Sequence, residues 1–288
     1  MTVFFDRQVS VIVRTTPDST RKYFRNYTKE YVIENLRVVF TITKTLKSDP
    51  NLAEIEIYNL SRDQRELFAT LPAHVTLLAG YKDNMFELYR GDVTRGSNMK
   101  KGPDYVTKIS CGTGANAAKF SKSSFSTRRG GTNGSIIKQL ASDAGLSIPK
   151  NVDEFKAFLS GESSSNGKVI TGSSIGNMAK LAGHHGIDMS IQDDSIVFVR
   201  KNGTRVGTAA LLSPSTGMVG DAELSTPDNP KEKPVLSATS LLRGDFKVGG
   251  LLKVSGSDND GTYKISTLTY KGDTHGNPWY SELEGVSI

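Results

Sequence analysis

Four stretches in the first 115 residues repeat apolar side chains at every second position, the period of a strand with one buried face. In LRVVFTITKTL the shared face holds Leu36, Val38, Phe40 and Ile42; in AEIEIYNL it holds Ala53, Ile55 and Ile57. HVTLLAG adds Val75, Leu77 and Ala79, and YVTKISC adds Tyr105, Ile109 and Cys111. A helix scatters such positions around its axis, so this region reads as antiparallel β. One short helix interrupts it: Ser61 and Gln64 have capping-box spacing, and Leu67 and Phe68 supply a buried edge. Closely spaced strands with a single helical plug predict a closed barrel or a sandwich.

The pattern changes near residue 116. KFSKSSFSTRRGGTNGS is polar and glycine-rich, and two helical stripes follow. The first is Ile136, Ile137, Leu140, Ala141 and Ala144, closed by Gly145; the second is Ile175, Met178, Ala179 and Ala182, stopped by Gly186. IDMSIQDDSIVFVRKNG then alternates on both sides of Asp193 and Asp194, which predicts a hairpin turned at those two residues. From TRVGTAALLSPSTGMVG the strands return. STPDNPKEKP reads as an exposed connection, and PVLSATSLL, GLLKVSG, GTYKISTLTYKG and PWYSELEGVSI give four more strands. The expected organisation is mainly β with an α/β insert: residues 1–115, a small α/β domain at 116–203, and a second β domain at 204–288.

With 288 residues the chain can bury about three quarters of its unfolded surface and needs no covalent staples. Its one cysteine, Cys111, cannot form an intrachain disulfide. Asp6 and Arg7 break the only apolar stretch near the start, so no secretory signal is read there and synthesis in a reducing cytoplasm is expected. No run approaches the length of a membrane span. The net charge of +6 is uneven: residues 1–130 carry 21 Lys and Arg against 13 Asp and Glu, and residues 131–288 carry 15 against 17. A basic first part fits either a nucleic acid or an acidic protein neighbour.

Several local patterns carry chemistry on paper. GSSIG places Ser174 in a G-x-S-x-G elbow between an apolar stretch and a helix, with Asp245 and His275 following in hydrolase order. That fold needs parallel strands before the elbow, where this chain reads as antiparallel, so a serine hydrolase stands as the alternative and a helix N-cap as the simpler reading. His184 and His185 are adjacent at a helix end and diverge by about 100°, unlike a metal pair. RRGGTNGS lacks the Lys-Ser/Thr pair of a phosphate loop and shows no strand pattern directly before it. RTTPDSTRKYFRNYTKEY interleaves Arg14, Arg21, Lys22, Arg25 and Lys29 with Tyr23, Phe24, Tyr27 and Tyr31. That mixture suits a single-stranded nucleic acid or, better, an arm packed on a neighbouring subunit. Asp273, His275, Asn277 and Trp279 crowd into seven positions, yet GDTHGNP is turn chemistry, so they read as a hairpin tip anchored by Trp279. No catalytic, cofactor-binding or metal-ligating residue is assigned.

The closing GTYKI, YKGD, Trp279 and final strand, preceded by GDFKVGGLLKVSG, resemble the C-terminal β domain of phage tail baseplate hub proteins. FTITKTLKSDPNLAEIEIYNLS resembles the first domain of that family, and SIIKQLASDAGL, IGNMAKLAGHHGIDMSIQDDSIVFV and LLSPSTGMVG match its middle segments in order, over about residues 36–288. Val248-Gly249-Gly250 stands where a Pro-Gly pair is common, and no spike segment is attached. The resemblance implies two tail-tube-like β-barrel domains flanking the α/β domain, in a homotrimer that joins a sixfold tail tube to a separate threefold central spike in the virion. It also implies a channel for tape-measure protein and DNA, no enzyme activity, no cofactor and no small-molecule substrate.

Overall fold

The alternating stretches become strands, but they join one another in a way that a pair of separate barrels does not. The structure is a computed structural model that describes residues 6–15, 29–70, 73–82, 84–148, 155–161, 166–226 and 233–288. The first region holds β1 (Arg7–Thr15), β2 (Lys29–Ile33), β3 (Val38–Thr45), β4 (Leu52–Tyr58), α1 (Arg62–Thr70), β5 (Ala73–Tyr81), β6 (Asn84–Lys101) and β7 (Asp104–Gly112). The middle holds α2 (Ala115–Phe120), β8 (Lys122–Thr127), α3 (Asn133–Ala144), α4 (Lys156–Ser160), β9 (Lys168–Ser173), α5 (Ser174–His184), β10 (Ile187–Gln192) and β11 (Ser195–Arg200). The last region holds β12 (Ala210–Leu212), β13 (Met218–Ser225), β14 (Val235–Leu241), β15 (Leu251–Val254), β16 (Gly261–Asp273) and β17 (Trp279–Ser287).

The expectation of two closed barrels is corrected here. The strands of the first and last regions form one 13-stranded sheet whose main path is β13-β14-β17-β16-β3-β4-β7-β6-β5-β1-β2, and that path is open at both ends among the described residues. The fusion is made by β16. Its register against β17 shifts between Ile265 and Thr267, leaving Ser266 as an extra residue whose hydroxyl donates to the Glu284 carbonyl at 3.1 Å. Such a bulge bends a strand and re-aims its free edge. Before it, Gly261–Lys264 pair with β15; after it, Thr267–Asp273 pair with Thr45–Val39 of β3. One strand thereby belongs to both regions. Their apolar faces form a single core that includes Phe40, Ile55, Leu77 and Tyr89 from one region and Leu236, Phe246, Tyr270 and Leu283 from the other.

Within the sheet, Gly272 lies opposite Phe40, and a Cβ there would sit 2.3 Å from the phenyl ring. Glycine is required at this crossing because the ring covers the position a side chain would take. Trp279, next to Gly272 in register, packs edge-on against the same ring at 5.7 Å between centroids and is buried.

The middle region has its own core. Ile136, Ile137 and Leu140 of α3 meet Met178 and Ala182 of α5 over Ile191, Ile196 and Phe198 of the β10–β11 hairpin. Thr132 caps α3 by accepting from the Ser135 N–H, and Gly145 ends it in the left-handed conformation, φ 65°. RRGGTNGS does follow a strand: β8 pairs antiparallel with β9. Its KSSFST sequence offers one large apolar residue, Phe125, too few for the period to show. Gly114 leads from β7 into α2 with φ 62°, and a Cβ there would lie 3.0 Å from the Ile191 side chain.

Candidate functional site

The chemistry-bearing residues noted in the sequence fall into separate places. Ser174 is buried, and its hydroxyl lies 2.8 Å from that of Ser123, which donates to Asp143 at 2.5 Å. Ser173, not Ser174, caps α5, accepting from the Gly176 N–H at 3.1 Å. The strand ahead of the elbow belongs to a two-stranded antiparallel sheet. Asp245 is held by Arg243, and the His275 ring by Thr274, so neither is a partner of Ser174. His185 ends α5, with its ring on Phe158 and Nε2 3.3 Å from the Asn133 amide. No group of three or more possible metal ligands occurs among the described residues. Of the basic and aromatic stretch at 14–31, residues 16–28 lie outside the described residues. Arg14 pairs with Glu30 at 2.6 Å, and Tyr31 packs edge-on to Phe68 at 5.7 Å.

The 273–279 turn is a docking element. Arg37 grips Asp273 with two hydrogen bonds, Nε to Oδ1 at 3.2 Å and Nη2 to Oδ2 at 2.7 Å. The His275 N–H donates to Asp273 Oδ1, and Arg7 donates to the Gly276 carbonyl at 2.6 Å while its guanidinium stacks over Trp279. Thr274 and Val38 exchange two more bonds: the Val38 N–H donates to Thr274 Oγ1 and the Thr274 N–H to the Val38 carbonyl. Burial alone would raise the Asp273 carboxyl, but the Arg37 hydrogen bonds, the His275 N–H and the Arg37 charge together hold it below the usual carboxylate range. The loop tip that looks catalytic in sequence thus locks the last hairpin onto β1 and β3.

A second, more deeply buried arrangement joins the α/β insert to the sheet. The β10–β11 turn places Asp193 and Asp194 in left-handed conformation, φ 46° and 66°. Two-residue hairpin turns of this kind favour Asn-Gly or Asp-Gly, so a second aspartate has another reason to be there. Asp193 accepts from Lys44 Nζ of β3 with both oxygens, at 2.8 and 2.7 Å. Asp194 Oδ2 lies 2.7 Å from Nε2 of His74 on β5, with 5% and 3% of the two side chains exposed. Asp92 on β6 stands opposite His74 in register and accepts from the Asn116 N–H as α2 begins. Asn51 completes the joint: its Nδ2 donates to the Ile191 carbonyl and to Gln192 Oε1, both at 2.9 Å, and its Oδ1 accepts from the Thr45 N–H. Gln192 answers by donating to the Thr45 carbonyl at 2.7 Å.

Around this joint burial pushes Cys111 and Tyr89 up, with Asp92 adding to both shifts, so neither ionises in the ordinary range. The arrangement is built of fixed polar contacts: the Lys44–Asp193 ion pair, the His74–Asp194 contact and the Asn51 and Gln192 hydrogen bonds. What it does chemically is fasten. Sequence reasoning missed His74, Asp92, Lys44 and Asn51, because the burial of β5, AHVTLLAGY, on both faces emerges only when the insert covers the face that carries His74.

Three comparisons bear on what such a body serves. The family model described as Baseplate hub gp41 matches residues 13–285. No curated protein sequence matches the chain. Solved structures share the fold at low identity. The 43 kDa tail protein of prophage MuSo2 from Shewanella oneidensis is 10% identical with TM-score 0.65, covering 96% of each chain. The tail protein of Neisseria meningitidis MC58 is 12% identical with TM-score 0.64, covering 98% of this chain and 97% of that one. The Escherichia coli c3393 protein, a type VI secretion component described as similar to the T4 tail proteins gp27 and gp5, is 10% identical with TM-score 0.58, covering 88% and 73%.

Proposed function

Because this chain belongs to the baseplate hub gp41 family and is therefore a structural component of the phage tail, carried in the virion, we propose that it works as the homotrimeric hub between tail tube and central spike. The observation that carries this reading is the sharing of β16 between two β regions. Each chain offers two β modules welded into one rigid body, so three chains present six modules to a sixfold tube while keeping a threefold face for a spike. Load is borne by the continuous ladder and by two fasteners, the partly exposed Arg37–Asp273 lock and the more deeply buried Asp193–Asp194 joint. In this reading the modules fall at 1–115 and 204–288, with 116–203 as the α/β domain between them. The ring encloses a channel for tape-measure protein and DNA. Such work asks for no catalytic residue, cofactor or small-molecule substrate. Among the described residues no helix is long and apolar enough to cross a membrane.

Light scattering on the purified chain tests the stoichiometry. A particle of three times the 31.2 kDa chain mass, ring-shaped in micrographs, is expected. A particle of two or four chains contradicts the proposal.

A further inference from the structure

The 273–279 turn also builds one wall of an open groove of about 560 Å³, whose lining includes Asp6, Arg7, Lys82, Thr274 and His275. Three stretches far apart in sequence meet there: the start of β1, the turn after β5 and the β16–β17 turn. The Lys82 N–H donates to the Asp6 carbonyl at 3.1 Å, which ties the first two together, and the Arg7 bond to the Gly276 carbonyl ties in the third. Arg7 does this with one nitrogen: Nη1 donates to Gly276 at 2.6 Å and lies 3.5 Å from the Asp273 carbonyl. Its Nε and Nη2 make no hydrogen bond among the described residues, while its Cζ stands 5.4 Å from the centroid of the Trp279 ring. The Nε–Nη2 edge of a guanidinium is a planar fork that matches the two oxygens of a carboxylate. Presenting such a fork normally costs side-chain freedom on binding; here Gly276 and Trp279 have already fixed it. Lys82 is exposed beside it, and His275 has Nδ1 2.9 Å from Thr274 Oγ1 and Nε2 without a hydrogen bond among the described residues.

Among the described lining residues two cations and an imidazole face the single carboxylate of Asp6, so the groove favours an anion. Asp6 limits which kind. A phosphodiester strand carries a charge on every nucleotide and would be repelled by it, whereas a lone carboxylate can sit on Arg7 and leave Asp6 to accept from the N–H groups of the segment that carries it. We propose that this groove docks an acidic side chain, aspartate or glutamate, from a segment of a neighbouring tail protein. Arg7 grips the carboxylate through Nε and Nη2, and Lys82 and His275 flank it. The tail-protein source rests on the hub reading, and the carboxylate chemistry rests on the groove alone.

Trp279 reports on the site, being the chain's only tryptophan and lying against the Arg7 guanidinium. The full chain is titrated at low ionic strength with a hexaglutamate peptide, with hexaglutamine and with inorganic phosphate, and binding is read by tryptophan emission and by calorimetry. Saturable binding of hexaglutamate is expected, with none for hexaglutamine and weaker binding of phosphate. Arg7→Lys keeps the charge but loses the fork and should weaken hexaglutamate binding about tenfold. Lys82→Glu, whose side chain takes no part in holding the turn, should weaken it too and flatten its dependence on salt; this variant carries the test if Arg7→Lys fails to fold. Phosphate bound as tightly as the peptide means a small-anion site and overturns the acidic-segment assignment. Neither heat nor emission change with hexaglutamate, or binding that survives both substitutions, overturns the site itself. The trimer stoichiometry is measured separately by light scattering, so each of these failures leaves the hub reading standing.

Discussion

Replacing Asp194 with alanine should release the α/β insert from the sheet without unfolding the sheet. The carboxylate makes a 2.7 Å contact to His74 with both side chains almost fully shielded from water. Removing one member of a buried pair typically costs about 3–5 kcal/mol, because the survivor keeps its desolvation cost and loses its partner. Lys44–Asp193 is less protected, with 26% of the aspartate side chain exposed, and should soften the effect by continuing to hold the turn. About 3 kcal/mol is therefore the expected loss at the joint, and it corresponds to roughly a hundredfold faster amide exchange if opening is local. Hydrogen exchange read peptide by peptide should show that acceleration in β10 and β11, while β3 and β16 keep their protection. A cycle with His74→Ala should give a coupling of about 1.5–3 kcal/mol. Unchanged exchange in β10–β11, or a coupling near zero, would refute the claim that this pair fastens the insert.

Three further outcomes follow from the same geometry. The Asp273 carboxyl is held below its ordinary range in the folded state, so its contribution is present above the unfolded carboxylate pKa and is lost as pH falls through the lower folded value. Urea unfolding of Asp273→Asn should accordingly give a stability lower by about 1–3 kcal/mol at neutral pH and lose part of the wild-type decline in acid; parallel pH profiles would argue against the lock. Gly272→Ala should cost about 1–3 kcal/mol in thermal unfolding, because its Cβ meets the Phe40 ring at 2.3 Å; a neutral result would mean that the strands separate more easily there than the packing implies. Ser174 should resist labelling by a fluorophosphonate, since its hydroxyl is buried against Ser123 and no imidazole adjoins it; labelled Ser174 would revive the hydrolase alternative.

Which faces are buried was legible in the sequence, because a strand's period is local. Phe40, Ile42, Ile55, Ile57, Val75 and Leu77 all point into the core as their alternation requires, and the Ser61–Gln64 cap, Gly145 and the Asp193–Asp194 turn fall where local chemistry puts them. Partner choice was not legible. Nothing within ten residues of Thr269 says that it will pair with Thr43, more than two hundred positions away, and the Ser266 bulge that permits this looks like any serine in a strand. The joint was hidden for a related reason. His74 occupies the outward parity of β5, where a polar residue is unremarkable until the insert covers it. The final turn shows the opposite error: Asp273 and His275 look reactive side by side, yet their partners are Arg37 and Thr274.

The most direct test of the central claim is a reconstruction of the tail tip of a phage that carries this chain. The account predicts three copies on the tail axis, between the tube and the spike. Any other copy number, or a position away from the axis, would contradict it.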